Sequence, residues 1–141
     1  MREEEHNLQC ACVRWFNLQW PQYRGLLFAI PNGGARSKAT AGKLKAEGVV
    51  AGVADLILLV PRFGFPHIIE GNADGMVSYV GTAEIYCGLC IEMKTAKGRQ
   101  SPEQKEWQAK VESEGYGYAV CHSLDEFMNT INGYFRLKER M

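Results

Sequence analysis

The sequence predicts an α/β fold in which helices flank a mixed central sheet. Two observations support that fold class: short apolar runs that end in turn residues alternate with longer segments whose apolar residues recur at three-and-four spacing. This alternation is typical of a layered structure with helices packed on a sheet. The 141 residues are sufficient for a buried core, so we expect a single domain over residues 1–141.

The first predicted helix spans residues 3–19, because its apolar residues recur at the spacing of one buried face. They are Leu8, Ala11, Cys12, Trp15 and Leu18. Pro21 ends the helix because proline cannot continue the hydrogen-bond ladder. A strand over residues 26–30 follows and closes in a glycine turn, and Ser37 then caps a second helix that ends at about Glu47.

The middle of the chain holds two strands separated by an insertion. Asp55 precedes the apolar run 56–60, which predicts a buried strand with an acid at its N-terminal end. Strand character returns over residues 85–94. We interpret residues 62–84 as an inserted β-ribbon with a mobile tip, because three glycines precede a run that favours strand.

The last third predicts a helix, a strand and a final helix. Ser101 followed by Pro102 has the form of a capped helix start, and that helix is expected to reach about Glu114. A strand over residues 116–121 precedes Ser123, which caps the last helix. The apolar residues of the last helix spread more widely than one buried stripe requires, and they are Phe127, Met128, Ile131, Tyr134 and Phe135.

Charge and cysteine content narrow the functional classes. Sixteen basic and sixteen acidic residues exclude a strongly electropositive nucleic-acid-binding surface but not a local basic face. Five cysteines are an odd number without a framework-like spacing, which favours a reducing compartment. Residues 1–5 are too acidic for a leader peptide, and no apolar run reaches ~18 residues. We therefore expect a soluble, cytoplasmic protein with no membrane contact.

Two strand ends carry the residues best suited to chemistry. Asp55 precedes one strand, and Glu92-Met93-Lys94 closes another, so that Glu92 and Lys94 project from the same face. If the strands are neighbours, the two carboxylates converge beside the lysine and suit Mg²⁺ or Mn²⁺. A lysine there can orient water or stabilise charge on a reacting phosphate. Taken alone, the three residues fit a lone strand-end acid and a surface ion pair better than a metal site, because acids and lysines are common at strand ends, and their spacing leaves both interpretations open.

Two segments are candidates for phosphate contact. Residues 94–110 carry five basic and two acidic side chains, including Lys97 and Arg99, which fits either a phosphate-binding face or a solvated helix face. Gly33 and Gly34, followed by Arg36, fit a loop that approaches an anion and equally a plain tight turn.

Cysteine and histidine spacing does not favour another metal chemistry. Cys87 and Cys90 have zinc-like spacing, but no second pair follows, and on a strand their side chains point to opposite faces. The three histidines have no spacing that forms a catalytic triad, and we expect them at the surface or in loops.

The wider pattern resembles a known family. It comprises Glu5-x3-Gln9, the Asn32-Gly33-Gly34 turn, Asp55, Glu92-x-Lys94 and Gly98-Arg99-x-Ser101-x2-Gln104. From Glu5 to about Ile131 the chain resembles the virus-type replication-repair nuclease (VRR-NUC) domain, a branch of the PD-(D/E)XK nuclease superfamily. The resemblance implies a restriction-endonuclease-like sheet. Ala54 replaces the proline of the superfamily name, and the insertion at 62–84 lengthens the gap between the acids.

The resemblance assigns roles to individual residues. It implies that Asp55 and Glu92 are metal carboxylates, that the Met93 backbone carbonyl is a further ligand, and that Lys94 is the catalytic lysine. It also implies a glutamate on the first helix that completes the metal site.

Two assignments from the resemblance concern helices. Glu5 corresponds to the first-helix acid because Gln9 stands four residues later, whereas the helical wheel places Glu4 nearer the centre of the apolar face. Gln104 corresponds to the family's glutamine on the helix after the Glu-x-Lys strand, where it would face the site as part of the catalytic set.

The function implied by the resemblance is a Mg²⁺-dependent DNA endonuclease, with Mn²⁺ as a substitute, that cuts branched DNA such as Holliday junctions in a bacterial or phage-infected cell. It further implies a homodimer, for which the last helix and the ribbon are candidate interfaces. The alternatives are an inactive nucleic-acid-binding module of the same fold and a sequence-specific, restriction-type nuclease. An RNA substrate is a further alternative.

Overall fold

Helices and strands alternate along most of the chain, as the sequence predicts. In chain order the elements of this computed structural model are α1 (Arg2–Gln19), a 3-10 turn (Pro21–Tyr23), β1 (Leu27–Ala29), α2 (Lys38–Ala46), β2 (Leu56–Leu58), β3 (Arg62–Phe63), β4 (His67–Gly71), β5 (Val77–Val80), β6 (Ile85–Tyr86), β7 (Leu89–Met93), α3 (Pro102–Ser113), β8 (Gly117–Cys121) and α4 (Leu124–Phe135). The structure describes residues 2–31, 37–63, 67–71, 77–80 and 85–137, and of Arg2, 67–71 and 77–80 it describes the backbone.

A four-stranded mixed sheet in the order β1-β2-β7-β8 lies at the centre of the fold. The pairs β1–β2 and β2–β7 are antiparallel, whereas β7 and β8 are parallel. Leu56 lies opposite Ile91, so the next position along each strand brings Asp55 beside Glu92. The predicted fold class is therefore confirmed, and the two strands that carry the candidate acids are neighbours.

Three serines begin helices in the predicted positions. Each side chain accepts a hydrogen bond from the backbone three residues on: Ser37 from Thr40, Ser101 from Gln104, and Ser123 from Glu126. These bonds satisfy amide groups that the first turn of a helix leaves without a partner. The cap at Ser101 is reciprocal, because the Gln104 side chain accepts from the Ser101 backbone N–H at 2.7 Å.

One face of the sheet is covered by α1 and α4. Cys12 and Phe16 on α1 are fully buried, as are Phe127 and Ile131 on α4. The Trp15 ring meets Phe127 edge to face, with 6.0 Å between their centroids. None of the helices in the described ranges is long and apolar enough to cross a membrane.

The buried face of α1 differs from the predicted one at Leu18, whose surface is 77% exposed. The face that contacts the core passes through Cys12 and Phe16. Leu18 lies two residues beyond Phe16, which places it roughly 200° further around the helix. The prediction for Leu18 was therefore wrong, because the four-residue spacing from Cys12 to Phe16 sets the contact line.

The apolar residues of α4 pack within the domain. Phe127, Ile131 and Tyr134 are buried, and the Phe135 ring stacks on Tyr23 with 4.9 Å between centroids. The Tyr134 hydroxyl donates to the Val60 carbonyl at 2.6 Å. The turn after α1 therefore covers Phe135, whereas Met128 on the same helix is half-buried, and the predicted interface on α4 stays a prediction.

The inserted segment forms antiparallel pairs. β3 pairs with β6, and β4 pairs with β5, which is consistent with the predicted ribbon; residues 72–76, where its tip was expected, lie outside the description. The predicted strand 85–94 is divided into β6 and β7. The division follows from their partners, because β6 closes the base of the ribbon while β7 enters the central sheet.

Candidate active site

The two strand-end acids meet at one edge of the central sheet. Asp55 immediately precedes β2, and its Oδ2 accepts a hydrogen bond from the Met93 backbone N–H at 2.7 Å. The Ile30 N–H donates to the Asp55 carbonyl at 2.9 Å and ties the same residue to β1. Asp55 is therefore fixed by its backbone and its carboxylate to the strands on either side.

The loop before Asp55 lies close to the backbone of α3. Gly52, three residues before it, has a φ of +84°, and a Cβ at this position would clash with the Glu103 carbonyl oxygen. Only glycine adopts this conformation and tolerates this contact without displacement. Gly52 thereby allows the loop before Asp55 to lie against the first turn of α3.

Glu92 is fully buried near the end of β7, and its two carboxylate oxygens have different surroundings. Its Oε2 accepts hydrogen bonds from the Tyr118 hydroxyl at 2.8 Å and from the Gln100 amide at 3.2 Å. Its Oε1 is also buried and has no hydrogen-bond partner among the described residues. Burying a carboxylate oxygen without a partner is costly, and this atom is therefore the candidate for binding something else.

Lys94 supplies the positive charge closest to that oxygen. Its Nζ lies 3.7 Å from Glu92 Oε1, and its side chain is 15% exposed. As predicted, Glu92 and Lys94 project from the same face of the strand end. The separation is longer than a charge-assisted hydrogen bond, so there is an electrostatic contact and the oxygen keeps its coordination capacity.

The electrostatics around Asp55 indicate a shortage of positive charge. Burial raises the pKa of the Asp55 carboxyl above its ordinary value, and the hydrogen bond from Met93 opposes this. The charges of Glu92 and Glu5 raise the pKa further, while Lys94 lowers it. Converging carboxylates of this kind repel each other unless a cation or a proton lies between them.

The first-helix acid that reaches this cluster is Glu5. Glu5 is half-buried and its charge acts on Asp55, whereas Glu4 is exposed. The physical reason is again the contact line of α1, since Glu5, Cys12 and Phe16 share one side of the helix. Glu5 is thus the first-helix acid on the core side of α1 and Glu4 lies toward solvent, which favours the assignment from the spacing to Gln9; the role of Glu5 in the site stays a prediction.

The glutamine that donates a hydrogen bond to Glu92 is Gln100, whereas the sequence predicted Gln104 in this place. Gln104 is half-buried, and its Oε1 is used in the capping box with Ser101. Gln100 Nε2 instead donates to Glu92 Oε2 and to Gln108 Oε1, the latter at 2.8 Å. An amide nitrogen has two hydrogens, so both are used, and α3 is linked through this side chain to the buried acid.

Tyr118 was also missed by sequence reasoning. It lies on β8 opposite Cys90, which places its side chain on the same face of the sheet as Glu92. Burial and the hydrogen bond to Glu92 raise the pKa of the Tyr118 phenol, so it remains a donor over the physiological range. Its role depends on the parallel register of β7 and β8, for which the local sequence carries no pattern.

The donor set fits a hard divalent cation. Asp55 and the free oxygen of Glu92 are carboxylate ligands, and Mg²⁺ is commonly bound by one or two carboxylates while it keeps several waters. Within the described ranges no three His, Cys, Asp or Glu side chains are arranged to hold a metal, so the geometry does not match a closed, all-protein cage. Cys87 is exposed and Cys90 is buried.

The residues expected to contact phosphate are only partly described. Lys97 and Arg99 are exposed on the segment between β7 and α3, close in sequence to Lys94. Gly33, Gly34 and Arg36 lie outside the described residues.

Comparison with known proteins confirms the resemblance found in the sequence. The family profile of the VRR-NUC domain matches residues 1–125. A solved structure described as a VRR_NUC domain protein aligns with 96% of this chain and 90% of that chain, with a TM-score of 0.69 and 26% sequence identity. A search of curated proteins found no match. Because the profile covers most of the chain and the acids occupy one sheet edge, this protein belongs to the VRR-NUC family, whose domain is nuclease-like.

Proposed function

We propose that this protein is a metal-dependent endodeoxyribonuclease that hydrolyses phosphodiester bonds in branched DNA. The observation that carries the proposal is the asymmetry of Glu92. Two donors hold its Oε2, while its Oε1 is buried, has no hydrogen-bond partner in the described part of the chain and faces Lys94. A purely structural carboxylate would be expected to use both oxygens.

Asp55 and Glu92 would hold the metal, with the Met93 carbonyl as a further ligand and Glu5 at the periphery. When bound, Mg²⁺ or Mn²⁺ polarises the scissile phosphate and lowers the pKa of a coordinated water. The Met93 N–H keeps Asp55 oriented, and Tyr118 keeps Glu92 oriented. These contacts fix the ligands before substrate arrives, which reduces the reorganisation that the reaction requires.

Lys94 would act on the reacting groups. Its ammonium lies beside the free oxygen of Glu92, where it can orient a water or neutralise charge that develops on the phosphate. Lys97 and Arg99 extend the positive charge outward from the site, and Gly33, Gly34 and Arg36 are the remaining candidates for backbone phosphate contacts.

We extend the proposal to branched substrates and a homodimer. A domain of this size presents one site, whereas resolving a four-way junction takes two symmetric incisions, which a twofold dimer supplies. The two interface candidates from the sequence are the last helix, whose buried apolar residues pack within the domain, and the ribbon over residues 62–84, which we favour. A DNA substrate and five free cysteines are consistent with a cytoplasmic location.

A Mg²⁺-dependent cleavage panel tests the proposal. The substrates are a four-way junction, a flap, linear duplex DNA, single-stranded DNA and RNA, each with Mg²⁺, Mn²⁺ or a chelator. We expect metal-dependent cuts in the junction, with light scattering showing a mass of two chains. Binding without cleavage would identify an inactive nucleic-acid-binding module. Cleavage of one duplex sequence would identify a restriction-type enzyme, and cleavage of RNA alone would show that RNA, and not DNA, is the substrate.

A further inference from the structure

His122 joins two segments next to the candidate site. It follows β8, and its Nδ1 lies 3.1 Å from Glu126 Oε2 on α4. On the other side its Nε2 lies 3.1 Å from the carbonyl oxygen of Gly98, in the segment between β7 and α3. The His122 backbone N–H also donates to Glu126 Oε2 at 2.6 Å, which holds the carboxylate in place.

Both atoms that face the ring are acceptors. Glu126 has an ionised carboxylate, and its pKa is lowered by the His122 backbone and side-chain hydrogen bonds. The Gly98 carbonyl can only accept. A neutral imidazole carries one N–H and can satisfy one of the two, whereas the imidazolium carries two and satisfies both. The ring therefore donates to both groups at once only when His122 is protonated, and water can reach the half-exposed Glu126 otherwise.

Gly98 is packed against the catalytic candidate Lys94. A Cβ at position 98 would lie 3.2 Å from Lys94 Cβ and 3.3 Å from Lys94 Cδ. The Gly98 N–H donates to the Thr95 carbonyl at 2.9 Å, so residues 95–98 close as a turn over the lysine stem. The same segment ends at Gln100, which contacts Glu92.

We propose that protonated His122 clamps the segment 95–100 to the start of α4 and so positions Lys97 and Arg99 for DNA. His122 is then a positioning residue that makes substrate binding dependent on pH. The effect on cleavage rests on the proposed nuclease function, whereas the clamp itself does not.

The hydrogen-bond partners of the ring set the direction of the pH effect. Glu126 on α4 contacts the ring directly, Asp125, Lys97 and Arg99 are exposed charged residues on the two segments that the ring joins, and Cys121 on β8 is buried. When the ring loses a proton, the remaining N–H is expected to stay with the carboxylate, which is the stronger acceptor. The Gly98 contact is then lost, so the clamp holds at low pH and opens as pH rises.

Nuclear magnetic resonance tests the clamp without using activity. The Arg99 amide belongs to the same peptide group as the Gly98 carbonyl, so its ¹⁵N and ¹H shifts report the hydrogen bond. We expect this amide to titrate with the same midpoint as the His122 ring in the full-length protein. In His122→Ala the titration should disappear, and in the control His6→Ala, an exposed histidine on α1, it should remain. An Arg99 amide that does not follow the His122 ring would overturn the proposal.

Cleavage kinetics test the consequence. At a pH where His122 is protonated, His122→Ala should raise KM for DNA roughly tenfold, the effect of one charge-assisted hydrogen bond, with a smaller change in kcat. The difference from wild type should shrink as pH rises. His122→Gln keeps a donor that does not titrate, so its KM should stay low across the range.

The outcomes separate the two proposals. An active enzyme in which His122→Ala has the pH profile of the wild type refutes the clamp. A wild-type protein that cuts no nucleic acid refutes the nuclease function, and the Arg99 titration still decides whether the clamp exists.

Discussion

Glu92 and Arg62 are both charged and almost fully buried, yet their surroundings differ. Arg62 donates to the Pro61 carbonyl and to the Tyr23 hydroxyl, each at 2.9 Å, and its guanidinium lies over the Phe135 ring at 5.0 Å from the centroid. Glu92 has donors on one oxygen only and lies beside another acid. Carbonyl and hydroxyl acceptors and aromatic rings surround the Arg62 guanidinium, whereas one oxygen of Glu92 has no hydrogen bond among the described residues and only the ammonium of Lys94 near it, 3.7 Å away.

This difference distinguishes a charge that stabilises the fold from one that is a candidate for chemistry. Arg62 joins the start of β3 to the 3-10 turn and to α4, so its contacts stabilise the fold. Burial alone therefore does not identify a functional residue. The unmatched oxygen of Glu92, together with the charges of Asp55, Glu5 and Lys94, is what points to chemistry.

The largest expected effect is that of Glu92→Gln. A neutral amide binds a divalent cation weakly, so cleavage should fall by roughly 10²–10³-fold or more. The melting temperature should change little, because the substitution preserves shape and removes an incompletely paired charge. Cleavage assays and thermal unfolding measure the two effects. Glu106→Gln, an exposed acid with a lysine partner, is the matched control and should retain activity.

Lys94→Ala tests whether the cation acts on the reacting groups or only balances Glu92. We expect turnover to fall by about 10²-fold, with the affinity for Mn²⁺ maintained. Single-turnover kinetics and titration calorimetry distinguish these possibilities. Lost metal affinity would contradict the proposed role, and Lys43→Ala on α2 provides the control for removing a lysine.

Arg62→Ala should have the opposite profile to Glu92→Gln. The substitution leaves a cavity beside Tyr23 and Phe135 and removes the donor to the Tyr23 hydroxyl, so stability should fall by about 2–4 kcal/mol. Cleavage per folded molecule should be unchanged. Denaturant unfolding followed by activity measured well below the midpoint tests both parts, with the exposed Arg14→Ala as control. An unchanged midpoint would show that Arg62 is not a structural residue.

Tyr118→Phe tests whether the hydrogen bond to Oε2 orients the Glu92 carboxylate. Without the hydroxyl, Oε2 keeps only the longer bond from Gln100, and the carboxylate is less firmly oriented. We expect metal affinity to fall by about tenfold, as is usual for residues that orient a metal ligand, and Tyr116→Phe to have no effect. Calorimetry with Mn²⁺ measures the change, and equal affinities for all three proteins would contradict the prediction.

The smallest effect concerns the first helix. Glu5→Gln should reduce cleavage by about fivefold at saturating Mn²⁺, corresponding to roughly 1 kcal/mol, while Glu4→Gln should have little effect. The reason is that the charge of Glu5 reaches Asp55 and Glu4 is exposed. The reverse order of the two variants would restore the helical-wheel assignment.

Local chemistry made most of the fold predictable. Ser37, Ser101 and Ser123 begin helices as expected, because capping needs only a side chain and the amide three residues on. The convergence of Asp55 and Glu92 was also predictable, given neighbouring strands. Tyr118, Gln100 and His122 were not, because their contacts depend on strand register and on the path of a loop. The prediction that Leu18 is buried was wrong for a similar reason, since the face of a helix that contacts the core is set by what packs against it.

The antiparallel pairing of β2 and β7 has a consequence for how this chain can vary in length. Asp55 stands where the chain enters β2, and Glu92 lies near the point where it leaves β7. The chain that connects the two strands leaves β2 and enters β7 at the other end of this strand pair. Three residues of strand place that end about 10 Å from the acids. Material can be added, shortened or exchanged there without changing the register Leu56↔Ile91. Residues 64–84 are thus separate from the candidate site, and replacing them with a tight hairpin that keeps Arg62 should leave Asp55 and Glu92 in the same positions.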